Sequence, residues 1–368
     1  MVTIQNGRVV LKDKVLEKAA VTMENGVIVH VSKDAQPALE NKTLIDVQNA
    51  FIVPGFVDIH CHAGGEYWAH ENPEQAALHH LNSGTTSIVL TLYHDIGHEG
   101  LIQGAKRIKE AMDQERPGNI AGLHLEGPYL SKEYGASAKT ARIPDPDEYN
   151  AYIREFGTLI RQWTFTPEVQ GTDAFIEAAA AAGIVLAIGH SAASPERVYE
   201  VVDKGVTHCT HLCNATGCSV APSRYAGTQE VSFDQAVMLN DKVTCEVIND
   251  SMGVHVRPLM TKLIAKTIGI DRLVGITDAC VGSSGGDDVN IVDGEIYGST
   301  LNMLRVAKNF MKNTGLSIVE VFRVCALNPA KVAGLTDRGE IAVGKRADVL
   351  LLDDNLEIRE IYLKGVKQ

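Results

Sequence analysis

Residues 52–65 read IVPGFVDIHCHAGG, an apolar run that ends in two histidines and a pair of glycines. Before this run, short apolar segments such as 2–5 and 27–31 are separated by hairpin signals such as Asn25-Gly26. After it, apolar runs alternate with longer amphipathic stretches. The run therefore predicts the place where a small β-rich unit gives way to a larger unit of alternating strands and helices.

Eight strand-like apolar runs are expected in this second unit, at residues 56–62, 86–92, 120–126, 162–167, 185–190, 207–212, 243–247 and 273–277. The amphipathic stretches between them include 100–115, 173–182, 195–204 and 256–268. An alternation repeated eight times is typical of a parallel (β/α)8 barrel. Apolar runs without strict alternation suit strands that are covered on both faces.

The end of the chain returns to β character, because residues 339–352 read GEIAVGKRADVLLL. The predicted fold is therefore α/β: a TIM-like (β/α)8 barrel, residues 54–334, with a small β-sandwich domain formed from both chain ends, residues 1–53 and 335–368. Loop 282–288, which reads GSSGGDD, is predicted to be flexible or to act as a lid.

Charge and composition narrow the range of partners. A formal net charge of −12 argues against nucleic acid or an anionic membrane as the main partner. The net charge does not argue against an anionic small substrate, since a site can be locally positive. The sequence shows no signal peptide and no apolar run long enough to span a bilayer. Seven cysteines without paired spacing favour a reducing compartment, so we expect a cytoplasmic protein.

The first barrel strand ends in His60-Cys61-His62. Residues two apart on a strand point to the same face, and the carboxyl ends of barrel strands form the functional face. Two imidazoles that converge there are natural metal ligands, although a His-x-His pair alone is only weakly specific. The same spacing argument places His208 on the opposite side of its strand from His211.

Other strands end in residues of similar chemistry. Glu126 would lie at the barrel mouth, where a carboxylate needs a cation or several hydrogen-bond donors. His190, His211 and Asp278 follow three further strands. Each one alone is more often a satisfied polar group than a catalyst, but together with the first-strand pair they predict a metal site.

These residues lie in motifs that resemble the amidohydrolase superfamily and, within it, the N-acetylglucosamine-6-phosphate deacetylases. The resemblance covers essentially the whole chain. The matching stretches are PGFVDIHCHAGG (54–65), HLEGPYL (124–130), IGHSAAS (188–194), THLCNAT (210–216), ITDA (276–279), GSTLNM (298–303), NPAKVAGL (328–335) and GEIAVGKRADVLLLD (339–353).

The resemblance implies a role for each site residue. Glu126, His190 and His211 match the family's metal ligands, and His60 with His62 matches the pair that holds a second metal in some members. Two metals would then be bridged by Glu126 and a hydroxide. The implied cofactor is a divalent metal, Zn²⁺ above all, as one or two ions, with Fe²⁺ or Mn²⁺ as alternatives. Asp278 matches the general base and acid.

The resemblance also implies residues that hold the substrate. Asn214 and Ala215 match a segment whose backbone contacts the sugar or its phosphate. Arg224 and His255 occupy the neighbourhood of the phosphate-binding arginine and histidine, which in the family come partly from the partner subunit of a homodimer.

Three departures lie in the substrate-facing loops. Ser137 stands where the family carries a histidine that polarises the acetyl carbonyl, and Lys139 and His94 are candidates to replace it. Residues 224–227 read RYAG instead of the family's Arg-Glu-Pro-Gly, and residues 250–255 carry extra residues before the histidine. The residues that match the metal ligands are all present. The three departures instead bear on the choice of substrate, and on its phosphate in particular.

The implied activity is metal-dependent hydrolysis of the N-acetyl amide of an amino sugar, N-acetylglucosamine 6-phosphate or a related N-acetylhexosamine or its phosphate. One alternative is another small-molecule amidohydrolase activity on the same metal site: on an N-acyl amino acid, on a cyclic amide, or as a deaminase. Another is a non-catalytic relative that binds a sugar, which predicts a lost ligand or a lost Asp278, and neither is lost.

Overall fold

A computed structural model of the chain describes residues 1–33, 43–135, 139–217, 227–282, 288–292 and 295–368, with the backbone alone at 94, 291, 292 and 295. Ser137, Arg224 and most of loop 282–288 therefore lie outside the described residues. Within these ranges, no helix is both long enough and apolar enough to cross a bilayer.

The strands are β1 Val2–Val10, β2 Val15–Glu24, β3 Val27–Ser32, β4 Thr43–Asp46, β5 Phe51–Pro54, β6 Phe56–Cys61, β7 Ala63–Gly64, β8 Tyr67–Trp68, β9 Thr85–Tyr93, β10 Ile120–Glu126, β11 Ile160–Phe165, β12 Val185–Ile188, β13 His208–Cys209, β14 Thr244–Ile248, β15 Leu273–Ile276, β16 Val289–Val292, β17 Glu295–Ser299, β18 Val349–Leu352, β19 Ile358–Leu363 and β20 Val366–Lys367. The helices are α1 Pro73–Leu81, α2 Gly97–Asp113, α3 Pro146–Phe156, α4 Thr172–Ala181, α5 Pro195–Asp203, α6 Phe233–Leu239, α7 Pro258–Ile268, α8 Met303–Thr314, α9 Ile318–Phe322 and α10 Asn328–Val332.

The predicted barrel is confirmed. Eight strands follow one another in the order β6, β9, β10, β11, β12, β13, β14, β15, each parallel to its neighbour. A bridge between Cys61 and Ala279 brings the two ends of this sheet together. Every residue of β6 and of β10 is buried, because the helices cover the outside and neighbouring strands fill the inside.

Both chain ends contribute to a β-rich region, as predicted. Strands β1–β5 and β18–β20 are linked into one sheet, because β1 pairs with β2 along one edge and with both β4 and β5 along the other. This region has its own core, which includes Ile4, Val21, Ile52, Val349 and Tyr362. The division of the chain at 53/54 and 334/335 stays a prediction, which the distribution of strands between the two sheets supports.

Two barrel strands are shorter than the sequence predicts. β12 ends at Ile188 and β13 at Cys209, although the predicted strands extend to 190 and 212. The chain turns out of the strand at His190 and His211, whose φ angles are +50° and +27°. Side-chain alternation therefore stops at these points, and the alternation argument for His208 does not apply.

Candidate metal centre

Glu126, the last residue of β10, lies at the middle of a group of imidazoles. Its Oε1 is 3.0 Å from Nε2 of His190 and 3.2 Å from Nε2 of His211. Its Oε2 is 3.1 Å from Nε2 of His62. The structure thus brings together the three strand ends that the sequence singled out for a first metal, and adds a contact to the first-strand pair.

Asp278 faces that pair from the other side. Its Oδ1 is 3.4 Å from Nε2 of His60 and 3.2 Å from Nε2 of His62, and these two nitrogens are 3.3 Å apart. His60, His62 and Asp278 form one group with the spacing of metal ligands, and Glu126, His190 and His211 form a second. All six lie at the carboxyl ends of barrel strands, where catalytic residues of such barrels are found.

The hydrogen bonds of the imidazoles test whether this arrangement suits a metal. Nδ1 of His190 is 3.2 Å from the Tyr134 carbonyl, and Nδ1 of His211 is 3.2 Å from the Asn214 carbonyl. A carbonyl only accepts, so each Nδ1 donates, and whenever either ring is neutral its Nε2 lone pair faces the same side as the carboxylate of Glu126. Lone pairs that converge on one point suit a cation, so the residues present fit a divalent metal ion.

The pKa shifts within this group also suit a bound cation. Burial alone would lower the pKa of His60, but the carboxylates of Glu126, Asp278 and Glu246 reverse this effect and hold its pKa well above its usual value. Burial opposes ionisation of Glu126, but the neighbouring histidines hold the pKa of that carboxyl well below its usual range. Positive charge is therefore favoured between these groups, either as protons on the rings or as a metal ion.

Glu246 of β14 contacts the candidate metal ligands, and the sequence reasoning missed it. This fully buried carboxylate accepts hydrogen bonds from Nδ1 of His60 at 3.0 Å, from Nε2 of His208 at 3.0 Å and from Nε2 of Gln162 at 2.9 Å. Its contact with His60 fixes that ring with Nε2 facing Asp278. The signal was present, because Glu246 is a lone carboxylate in the strand sequence TCEVI, as Glu126 is in its strand.

His208 was predicted to face away from His211, and this is wrong. Both side chains are buried and both lie close to the barrel interior: His208 contacts Glu246, and the backbone N–H of His211 lies 3.4 Å from the same carboxylate. The left-handed turn at His211 changes the direction of its side chain, so two residues of different parity meet in one place.

Three of the six residues in the two ligand groups adopt backbone conformations that are unusual for non-glycine residues. The φ angles are +50° at His190, +27° at His211 and +48° at Asp278. Such conformations cost about 1–3 kcal/mol each and persist where the surrounding structure imposes them, often at functional sites. Gly135 adds a close approach: a Cβ on this residue would lie 2.6 Å from Nδ1 of His190.

A cavity of about 390 Å³ opens above the six residues. Asn214, Ala215 and His255, three residues expected to hold substrate, line one side. The His255 ring is held at both nitrogens, 3.0 Å from Oδ2 of Asp250 and 3.1 Å from the Gly298 carbonyl. Lys139 is exposed, and the side chain of His94 is outside the described part of the chain.

Comparison with known proteins places the chain in a family. The family model described as Amidohydrolase family matches residues 51–366. The chain belongs to the amidohydrolase family. Its members are metal-dependent, so this amidohydrolase is a metal-dependent hydrolase of carbon–nitrogen amide bonds.

Individual relatives of this amidohydrolase have low sequence identity to it. The amidohydrolase is 24% identical to an N-acetylglucosamine-6-phosphate deacetylase of Lysinibacillus sphaericus, over 95% of this chain and 93% of the relative. It is 25% identical to an N-acetylgalactosamine-6-phosphate deacetylase of a Shewanella species, over 99% and 95%. A solved structure of a variant N-acetyl-D-glucosamine-6-phosphate deacetylase from Mycobacterium smegmatis, in complex with N-acetyl-D-glucosamine-6-phosphate, is 28% identical with a TM-score of 0.83 and covers 100% of this chain and 98% of that one.

Proposed function

We propose that this amidohydrolase removes the acetyl group from the nitrogen of an amino sugar, N-acetylglucosamine 6-phosphate or a related N-acetylhexosamine or its phosphate, and releases acetate. The observation that carries the proposal is the convergence of two candidate ligand groups, one of which includes Asp278, at one end of a cavity of about 390 Å³. The names of the relatives, which span nearly the whole chain, support the substrate class.

In this proposal Glu126, His190 and His211 would hold one metal ion, and His60 and His62, together with Glu126, would hold a second. Zn²⁺ is the proposed metal because imidazole and carboxylate ligands suit it, and Fe²⁺ or Mn²⁺ would use the same ligand types. When bound, the metal lowers the pKa of water towards ~7 and polarises the amide carbonyl.

Asp278 is the proposed general base and then general acid. Burial alone would raise its pKa, but His60 and His62 hold the pKa of this carboxyl below its usual value, so it is ionised and can accept a proton. It takes the proton of the attacking water and returns that proton to the amine, which needs it in order to leave. The Asp278 backbone N–H donates to the His60 carbonyl at 2.9 Å, which fixes the base beside the first-strand pair.

Asn214 and Ala215 are proposed to contact the sugar or its phosphate, and Arg224 and His255 the phosphate. Nδ2 of Asn214 lies 3.4 Å from the His255 carbonyl, which ties these two loops together. Ser137 occupies the position of the family's carbonyl-polarising histidine, so in this chain the carbonyl is proposed to be polarised by the metal.

A homodimer in the cytoplasm is the proposed assembly and compartment. Helices α6 and α7 expose Leu239 at 61%, Leu259 at 82% and Leu263 at 50% of their surfaces, and such apolar patches mark protein contacts. The six described cysteines are free thiols, which agrees with a reducing compartment. Light scattering of the wild type and of a Leu259→Glu variant tests the assembly: the wild type is expected at twice the chain mass and the variant at a lower average mass.

Metal analysis and an activity screen on the same preparation test the function. We expect one or two divalent ions per chain and acetate release from N-acetylhexosamines, measured with and without a 6-phosphate. N-acetyl amino acids, a cyclic amide and amino-purines serve as the comparison set. Acetate release from none of the hexosamines, or faster turnover of the comparison set, would contradict the proposed substrate class.

A further inference from the structure

An aromatic surface forms one side of the cavity, and the proposed chemistry does not use it. We call it the aromatic wall: Trp68, Tyr93, Ile296 and Tyr297. Trp68 comes from the hairpin after β6, Tyr93 from the end of β9, and the other two residues from the β16–β17 hairpin after β15. The ring centroid of Trp68 is 5.6 Å from that of Tyr93 and 6.3 Å from that of Tyr297.

The two phenols of the wall contact each other. The hydroxyls of Tyr93 and Tyr297 are hydrogen-bonded to each other, and burial raises the pKa of both phenols, so they stay neutral. The two rings are thereby held in place. The wall presents three aromatic side chains and an isoleucine to the cavity, with no charged side chain among its four residues.

The aromatic wall and the Asn214 side of the cavity border different halves of the candidate metal centre. The Tyr93 ring packs edge-on against the His62 ring, with centroids 5.6 Å apart, so the aromatic wall adjoins the His60, His62 and Asp278 group. On the other side, Nδ1 of His211 donates to the Asn214 carbonyl, so the polar side adjoins the Glu126, His190 and His211 group. An amide placed over the centre therefore has one end towards each surface.

Polarity decides which end faces which surface. The amine side of the proposed substrate is a sugar whose hydroxyls need hydrogen-bond partners, whereas the acyl side is an apolar chain. We propose that the aromatic wall is the acyl pocket and that Trp68 limits the length of the acyl chain that this enzyme removes. This assignment rests on the proposed function, because it takes the amine side of the substrate to be a sugar.

A series of N-acyl glucosamines and their 6-phosphates, from acetyl to propanoyl and butanoyl, tests the proposal. We expect the kcat/KM ratio of butanoyl to acetyl to rise at least about tenfold in Trp68→Ala, since one methylene in a fitted pocket changes kcat/KM by roughly 10- to 200-fold. Trp68→Phe should fall between wild type and Trp68→Ala. A ratio of two substrates does not depend on the folded fraction of a variant.

Tyr67→Ala is the matched control, because Tyr67 lies beside Trp68 in the same hairpin but is 43% exposed and does not line the cavity. Its ratio should equal that of the wild type. If Trp68→Ala raises KM for every acyl chain by the same factor, the wall binds the sugar and the proposal is wrong. An unchanged ratio with unchanged KM would also overturn it.

A second measurement separates the acyl pocket from the proposed substrate. Acetohydroxamic and butanohydroxamic acids chelate metal ions and carry the acyl chain without a sugar, and their Kd values can be measured by calorimetry on the metal-loaded enzyme. Trp68→Ala should tighten butanohydroxamate relative to acetohydroxamate. This result, combined with no activity on any hexosamine, would retain the acyl pocket and reject the sugar. If the enzyme hydrolyses the N-acyl sugars but Trp68→Ala changes neither the kcat/KM ratio nor the Kd ratio, the sugar is retained and the acyl pocket is rejected.

Discussion

The two halves of the metal centre are held in different ways. In the half formed by Glu126, His190 and His211, both imidazoles donate through Nδ1 to backbone carbonyls of the loops that follow the strands. In the half formed by His60, His62 and Asp278, Nδ1 of His60 donates to the buried side chain of Glu246. Among the described residues, Nδ1 of His62 has no hydrogen-bond partner.

This difference shows where each half is sensitive to substitution. Backbone carbonyls cannot be removed by changing a side chain, so the first half depends on loop conformation. The second half depends on a buried network of side chains, in which Glu246 also binds His208 and Gln162. Single substitutions of buried side chains that contact the candidate ligands should therefore weaken metal binding more in the second half than in the first.

The largest effect is expected at the proposed base. Asp278→Asn should lower kcat by roughly 10²- to 10⁴-fold, because proton transfer to and from the reacting groups is lost. Metal content, measured by atomic emission on the same sample, should stay at the wild-type level because the imidazoles and Glu126 remain. Glu66→Gln, which neutralises an exposed carboxylate after β7, is the control and should keep wild-type kcat. Near-normal kcat in Asp278→Asn would reject the assigned role.

The next effect separates the two halves directly. Glu246→Gln places an amide opposite Nδ1 of His60 and should weaken metal binding there by roughly 10- to 100-fold, as loss of an outer hydrogen-bond partner does. Titration with a chelator should then show one metal released early and one retained. His190 and His211 keep their carbonyl partners, so the retained ion is the one at Glu126. Equal loss of both ions would mean that the halves are not held independently.

The converse substitution lies in a loop. Gly135→Ala adds a Cβ 2.6 Å from Nδ1 of His190 and requires alanine at a φ of +121°. The loop must shift, so the contact of His190 with the Tyr134 carbonyl is lost and the metal at Glu126 should bind less tightly, by about tenfold. Gly183→Ala also places alanine at a positive φ, but has no atom within 4 Å of the new Cβ and serves as the matched control. A change in affinity for the metal at His60 and His62, with no change for the metal at Glu126, would contradict this assignment.

The smallest effect concerns pH and the metal-free protein. Burial alone would lower the pKa of His60 and His62, but the neighbouring carboxylates raise both above the usual value. A raised folded-state pKa gives stability that is fully present below pH 6.5 and is lost as pH rises through the raised pKa. The Tm of metal-free protein should therefore fall by a few degrees as pH rises above 6.5.

The metal-loaded protein should respond in the opposite way, because metal binding needs deprotonated imidazoles and strengthens as pH rises. Differential scanning fluorimetry of both forms over pH 6.5–9 checks the prediction. A gap between the two Tm values that narrows with rising pH would contradict it.

Much of the fold was readable from the sequence, although the agreement is uneven. The third barrel strand begins and ends as predicted, at Ile120 and Glu126, because a continuous apolar run stops at Gly-Pro. The sixth, predicted over 207–212, is only His208–Cys209 long, since the chain leaves the sheet to place His211. Helix α3 is not among the stretches named from the sequence, although Asp145 and Pro146 give a clear start signal, with an N-cap followed by proline at the first turn.

The sequence by itself determined which polar residues stand at the ends of strands, because side-chain periodicity and the loss of apolar character are local properties. Glu126, His190, His211, His60, His62 and Asp278 were all found in this way and all meet in the structure. Periodicity indicates on which face of a strand a residue lies, but it does not indicate which residues of other strands lie opposite that face.

Only the tertiary structure decided which side chains from distant strands meet. Barrel closure brings Glu246 to His60, and the hairpins after β6 and β15 bring Trp68 and Tyr297 to Tyr93. It also turned His208 inward, against the expectation from alternation. The physical reason is that such contacts depend on strand order, register and left-handed turns at strand ends, none of which a local pattern encodes.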